Sequence, residues 1–368
     1  MSLRILHPSP LFLVGRCRIV AGAFDARGAP AKGIAYVTLS VDGAAQPPDT
    51  NPPYEWDLDL GSDLRRRRVV LTAVAADGKK ASLAVLSFTH PYVESVGVDL
   101  VLVPVVVLEE TSPRADDVAP AARPVSGLAA GDFTVLEDGV RQEISSFTNE
   151  PIPASISVAL DTSRSMEAHL WSARKAVSDF VKEQPAYSAL SLMSFNDQVF
   201  LEADFTYDTR EVGTALGALR PEGTRTALFE ALRAGSSQLA RRPGARVLVL
   251  FTDGEDTVEE GSEGRLRTAI EAAQAADVTV FAVAYGPADA EPLREMAAQT
   301  GGDVIQARGR ENLSEAFHGI SEALGSRYVL GYEPPEPQKP GYRKLEVRVS
   351  RAGVRVLARR GYQIGAQR

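Results

Sequence analysis

Ile156-Ser157-Val158-Ala159-Leu160-Asp161-Thr162-Ser163-Arg164-Ser165 is the stretch on which the fold turns. The apolar run 156–160 reads as a buried β-strand, and a helix-like stretch begins soon after Ser165. The order is strand, turn, helix, and the turn carries Asp-x-Ser-x-Ser. One carboxylate and two hydroxyls therefore project from one loop. These are hard oxygen donors, the kind that a small divalent cation such as Mg²⁺ prefers.

The pattern extends outward from there. Strand candidates lie at 155–160, 190–195, 246–251 and 278–284, and helix candidates at 168–182, 227–241, 263–276, 290–299 and 311–324. Near-continuous apolar strands such as Val247-Leu248-Val249-Leu250-Phe251 indicate a sheet covered on both faces. Strand and helix in alternation predict a doubly wound, mainly parallel sheet. In such a sheet, ligands bind outside the carboxyl ends of the strands. The loop after Leu160 and the one after Phe251, which reads Thr252-Asp253-Gly254, lie at such ends. Gly223-Thr224-Arg225-Thr226 places a further threonine just before a helix, within reach of both. Two carboxylates and three neutral hydroxyls leave a bound Mg²⁺ incompletely neutralised, so that it can take an acidic side chain from a partner. Singly, each element has a plainer reading: Ser163, Ser165 and Thr226 as helix caps, Asp253-Gly254 as a turn. Their order and their places at strand ends favour metal binding.

Asp161-x-Ser163-x-Ser165, Thr226 before Ala-Leu-Phe-Glu-Ala-Leu, and Thr252-Asp253-Gly254 resemble, in order, the three parts of the metal-ion-dependent adhesion site (MIDAS) of von Willebrand factor A (VWA) domains. The resemblance implies that Ser163, Ser165 and Thr226 touch the ion directly, and that Asp161 and Asp253 bind it directly or through water. It implies Mg²⁺, or Mn²⁺ or Ca²⁺, as the cation. The flanks resemble the "VWFA-related" bacterial family known chiefly from acidobacterial genomes. The matching pieces are Val125-Ser126-Gly127-Leu128, Asp132-Phe133-Thr134-Val135 and Glu137-Asp138-Gly139 before the domain, and Tyr328-Val329-Leu330-Gly331-Tyr332 and Arg360-Gly361-Tyr362 after it. The loop 112–124 looks like an insertion relative to that pattern. Residue 164 is Arg where the wider superfamily often has Gly. Arg164 and Arg225 either border the metal, shaping ligand preference or cation affinity, or point into solvent.

The rest of the chain reads as β structure. Residues 1–92 show short strands with regular turn signals, the texture of an Ig-like β-sandwich. Tyr54 and Trp56 belong to its core. Arg65-Arg66-Arg67-Arg68 reads as a solvated loop or strand edge. The run 98–108 is the most β-prone of the protein, and Pro104 within it points to an edge strand or a bulge. Glu137-Asp138-Gly139 is a hairpin signal. After about 326 strands return. Too few to stand alone, they are expected to pair with those of 93–151. The expected organisation is multidomain, α/β plus all-β. An Ig-like sandwich spans 1–92, the first half of a split β-sandwich 93–151, a doubly wound, Rossmann-like VWA domain 152–325, and the completing strands 326–368.

Composition bounds the function. With 368 residues, 44% hydrophobic and 24% charged, the chain has the make-up of a soluble multidomain protein. A net charge of −8 speaks against nucleic acid as a partner. No apolar run is long enough to span a bilayer, so no transmembrane segment is expected. The single cysteine, Cys17, excludes an intrachain disulfide and reads as a small buried residue. The start lacks a signal-peptide pattern, so the protein stays inside or the chain is a mature or trimmed form. Family resemblance implies a secreted or envelope-associated, bacterial protein.

The favoured function is a non-enzymatic adhesion and protein-binding module whose cation accepts an Asp or Glu carboxylate from a protein ligand. A metal-dependent hydrolase or phosphatase is the alternative, but His7, His90, His169 and His318 form no catalytic motif. A structural subunit with an unused metal site is the third reading.

Overall fold

The structure is a computed structural model that describes residues 2–7, 16–25, 29–60, 67–87, 101–110, 122–149, 153–186, 188–242, 244–254, 256–257, 262–286, 290–335 and 341–364. Arg65, Arg66, His90, most of the 112–124 insertion and the side chain of Cys17 lie outside the described residues. The chain forms two compact units, Met1–Val93 and Glu94–Arg368.

The first unit contains β1 (Ser2–His7), β2 (Arg16–Phe24), β3 (Ile34–Val41), β4 (Ala44–Ala45), β5 (Tyr54–Asp59), β6 (Arg68–Ala75) and β7 (Lys80–Leu86). They make two antiparallel sheets, ordered β1-β2-β5 and β4-β3-β6-β7. Alternate residues of each sheet, including Ile19, Ala21, Tyr54, Trp56, Val37, Leu39, Val69 and Leu71, meet in one core. Trp56 buries its ring and donates its indole N–H to the Pro47 carbonyl at 2.8 Å. Of the arginine run, Arg67 departs from a solvated reading. Its side chain is buried, bonding the Asp42 carboxylate at 3.2 Å and the Leu60 carbonyl at 2.7 Å.

The second unit opens with β8 (Val101–Glu109), β9 (Phe133–Glu137), β10 (Val140–Gln142) and β11 (Ser146–Thr148). Asp138 and Gly139, both at positive φ, turn β9 into β10. The α/β portion follows: β12 (Ala154–Asp161), α1 (Leu170–Glu183), β13 (Ala189–Phe195), β14 (Val199–Thr206), α2 (Thr209–Ala218), α3 (Leu228–Leu239), β15 (Ala245–Thr252), α4 (Ser262–Ala275), β16 (Val278–Tyr285), α5 (Glu291–Thr300), β17 (Val304–Ala307) and α6 (Arg310–Gly325). The chain closes with β18 (Tyr328–Tyr332), β19 (Gly341–Val349), β20 (Val354–Ala358) and β21 (Gly361–Ile364).

The α/β sheet is mixed, ordered β14-β13-β12-β15-β16-β17, with β14 antiparallel at one edge and the other strands parallel. Period-two alternation splits the buried strands between two cores. Ile156, Val158, Leu160, Val247 and Val249 face α1, α2 and α6. Ala159, Met193, Leu248, Leu250 and Val280 face α3, α4 and α5. Strand order reverses between β12 and β15, so a crevice opens at their carboxyl ends. Within the α/β portion, three elements escaped the sequence reading: β14, whose residues are all half-exposed or exposed; α2, with only Val212 and Leu216 buried; and the four-residue β17.

Strands from both sides of the α/β portion interleave in two sheets, β10-β9-β19-β21 and β11-β18-β8-β20. β8 is an inner strand, which corrects the edge placement suggested by Pro104. β18 pairs with its first half (Val101 to Val105) and β20 with its second (Val105 to Glu109). Pro104 is therefore strand-paired on one side only, opposite Val329. The unbroken apolar run has a reason: Val103, Val105 and Val107 enter the sandwich core, while Val106 and Leu108 enter the α/β core. Arg359 ties the portions further. It pairs with Asp277, at the start of β16, and donates to the Leu102 carbonyl at 2.7 Å. Both contacts lie at the amino ends of the parallel strands, opposite the crevice.

Candidate metal centre

Three loops meet at the crevice. The first leaves β12, whose last residue, Asp161, is wholly buried. Its Oδ1 accepts the Ser163 N–H at 2.8 Å and its Oδ2 the Thr252 hydroxyl at 2.6 Å. Thr162 is spent on scaffolding. Its N–H reaches the Phe195 carbonyl at 2.8 Å, and its own carbonyl accepts the Glu222 N–H at 2.8 Å. The chain then winds through a short 3₁₀ turn, Arg164–Ala168, into α1. That turn brings the hydroxyls of Ser163 and Ser165 within 3.0 Å of each other.

The second loop follows β15. Asp253 accepts the Ser165 hydroxyl at 2.9 Å, so a chain of contacts runs Asp161, Ser163, Ser165, Asp253. The third loop precedes α3 and brings Thr226, which is buried, beside Gly254. A Cβ built on Gly254 would lie 3.9 Å from the Thr226 Oγ1. Ser165 is exposed and Asp253 half-exposed, so the centre has a floor of Asp161 and Ser163 and an open rim. Asp161, Ser163, Ser165 and Asp253 are thus linked by direct contacts, and the Thr226 hydroxyl lies beside Gly254, the residue after Asp253. Arg164 and Arg225 are both exposed at the rim.

Burial pushes the Asp161 carboxyl up to about 6, and the negative charge of Asp253 adds to that push. Hydrogen bonds from Thr252 and Ser163 pull the other way. None of the groups acting on Asp161 is a cation, so its charge is held out of water without a counter-ion. A divalent cation among these oxygens fits that chemistry. Among the described residues, no three His, Cys, Asp or Glu side chains gather into a metal cluster, here or elsewhere; this centre offers two carboxylates beside its hydroxyls.

Several positioning residues were not singled out from the sequence. Thr252 holds Asp161. Asp197 accepts the N–H groups of Thr224 at 3.1 Å and Arg225 at 2.6 Å, pinning the third loop. Asp256 and Thr257 bond the same loop from the other side. Only the Thr-Asp-Gly run hinted at Thr252; the others carry no signal beyond being polar and near a turn. Of the histidines, His169 packs its ring on Tyr285 at 4.6 Å, and His318 faces Glu183 at 3.3 Å.

Residues 155–318 match the family model of the von Willebrand factor type A domain. A UPF0353 protein of Mycolicibacterium gilvum is 24% identical over 236 residues, which is 55% of this chain and 69% of that protein. Among solved structures, a von Willebrand factor type A protein from Catenulispora acidiphila is similar over 75% of this chain and 76% of its own, with 14% identity and a TM-score of 0.45. Proximal thread matrix protein 1 from the mussel byssus, with a zinc-occupied MIDAS motif, is 15% identical with a TM-score of 0.42. The likeness covers 51% of this chain and 49% of that one.

Proposed function

We propose that the von Willebrand factor type A domain formed by residues 155–318 is a non-enzymatic, metal-dependent protein-binding module. The observation that carries this reading is the buried, counter-ion-free carboxylate of Asp161, joined through Ser163 and Ser165 to Asp253. Ser163, Ser165 and Thr226 would hold the cation by their hydroxyls, with Asp161 and Asp253 as the anionic groups. Mg²⁺, Mn²⁺ or Ca²⁺ suits such hard oxygen donors. A divalent cation so held, with only two carboxylates among its oxygens, supplies a Lewis-acid centre open on the Ser165 and Asp253 side to an Asp or Glu carboxylate of a partner protein.

The residues divide the work. Thr252 and the Ser163 N–H fix both oxygens of Asp161, so the floor is preorganised. The three hydroxyls orient without adding charge, which keeps the appetite for an external carboxylate. That the module is non-enzymatic is part of the same proposal.

The flanking β units act as spacer and platform. We read the first unit as Ig-like, a reading supported by its two-sheet order β1-β2-β5 and β4-β3-β6-β7. Adhesion at a bacterial envelope, or as a secreted protein, is part of the same proposal. Among the described residues, no helix is long and apolar enough to cross a membrane.

Calorimetric titration with Mg²⁺ and Mn²⁺ tests the centre. Wild type should give a saturable isotherm, and the Ser163→Ala/Ser165→Ala variant none. Equal traces for both would leave the site idle. A pull-down from envelope fractions with and without chelator tests the binding role, with Asp253→Ala as control. Equal recovery in every lane would refute it.

A further inference from the structure

Helix α3 begins just after Thr226, yet Ala227 at its N-cap position has no side-chain oxygen to offer. Its free N–H groups are served from elsewhere. The Phe229 N–H, in the first turn, donates to Asp256 Oδ2 at 3.0 Å, from a residue 27 positions away. The other oxygen of Asp256 takes the Arg265 guanidinium of α4 at 2.9 Å. Arg265 also lies over the Phe229 ring, 5.6 Å from its centroid. The Asp256 side chain is only 1% exposed. A carboxylate so buried is sustained by being paired and hydrogen-bonded at once, and it sits at the favourable end of the α3 dipole. One residue on, Thr257 and Thr226 bond reciprocally. The Thr226 N–H donates to the Thr257 hydroxyl at 2.8 Å, and the Thr257 N–H donates to the Thr226 carbonyl at 3.0 Å.

From this geometry we infer that Asp256, braced by Arg265, is a positioning residue that sets the Thr226 hydroxyl for the cation. The inference rests on the metal-binding reading above. Asp253 and Asp256 leave the same strand end three residues apart, and Thr226 and Phe229 enter α3 three residues apart. Asp256 therefore fastens the third loop to the second at the spacing that places Thr226 beside Gly254. Without it, Thr226 is held by its backbone bonds to Thr257, and α3 loses its cap in the same step. The link also makes the position of α4 felt at the metal centre, because the Arg265 side chain of α4 bonds Asp256 at 2.9 Å.

The test is calorimetric titration of the full chain with Mn²⁺, together with hydrogen exchange of the cation-free protein. Asp256→Ala should weaken Mn²⁺ tenfold or more, within the range seen when groups that orient ligands are removed. It should also speed exchange at the Thr226 amide. Asp256→Asn keeps an acceptor for the Phe229 N–H and should recover part of the affinity. Asp208→Ala is the control for a lost cap alone: Asp208 accepts the Arg210 N–H at the start of α2 at 3.0 Å. That variant should bind Mn²⁺ within twofold of wild type. Mn²⁺ affinity in Asp256→Ala within twofold of wild type, or an equal loss in Asp208→Ala, overturns the inference while leaving the metal reading intact. Wild type that takes up no Mn²⁺ overturns the metal reading, and the inference with it.

Discussion

Asp161→Asn removes one negative charge and keeps the shape of the side chain. In the wild type, Oδ1 accepts the Ser163 N–H at 2.8 Å and Oδ2 the Thr252 hydroxyl at 2.6 Å. The amide oxygen retains the first bond. The amide NH₂ can donate to the Thr252 hydroxyl, which turns to donate to the Gly254 carbonyl at 3.2 Å. What remains is the cost of a charge held away from water. The carboxyl lies at about 6 in the folded chain against an ordinary 3.8. At 1.36 kcal/mol for each tenfold change in proton affinity, that difference is roughly 3 kcal/mol at neutral pH. The folded state holds this proton more tightly than the unfolded one. The Asp161 contribution to the stability of cation-free wild type should therefore be fully present below about pH 3.8 and be lost as pH rises through about 6. Asp161→Asn should show no such loss and should exceed wild type at neutral pH by up to roughly 3 kcal/mol. Added Mg²⁺ should reverse that order by stabilising wild type alone. The assay is native-state hydrogen exchange at β12 and β15 amides, with chelator and with Mg²⁺, below and above the transition. Wild type and variant tracking each other at every pH in chelator would refute the reasoning, as would a gain in wild-type stability across that window.

Three further outcomes follow from packing and ion pairing. Gly302→Ala drives a Cβ into the Val280 carbonyl, a backbone atom that cannot swing aside, so the α/β portion should lose a few kcal/mol in urea unfolding. Arg359→Ala should cost about 2 kcal/mol, because it removes the pair with the half-buried Asp277 and the bond to the Leu102 carbonyl. Arg355→Ala should cost under about 1 kcal/mol: its two-pronged pair with Asp303 is close, but the arginine side chain is 46% exposed. Proteolysis of the C-terminal strands should rank the two variants in that order.

The long parallel strands β12, β13, β15 and β16 were legible because each is a near-continuous apolar run, and the main helices because their apolar faces recur at helical period. β14, α2 and the four-residue β17 were not. β14 lies at a sheet edge with Phe200, Leu201 and Glu202 turned outward, so it carries no burial pattern to read. α2 leaves a narrow apolar stripe, with Val212 and Leu216 alone fully buried. Pro104 misled for a related reason. A proline argues against an inner strand only if both sides are paired along its whole length, and β18 and β20 divide β8 between them. Arg67 likewise sits in a run that looks solvated until Asp42 and the Leu60 carbonyl are folded against it.

At the centre, local order determined which oxygens were on offer. Asp161, Ser163 and Ser165 lie in one turn after one strand, and no distant residue is needed to bring them together. Whether Asp253 and Thr226 join them depends on the reversal of strand order between β12 and β15 and on the fastening of the α3 loop. Those are facts of long-range pairing. Sequence alone determined the donor chemistry, because chemistry belongs to residue type. Only the tertiary structure decided the Asp256–Arg265 brace, the burial that lifts Asp161, and the two-core use of β8. Each depends on which surfaces far apart in the chain exclude water together.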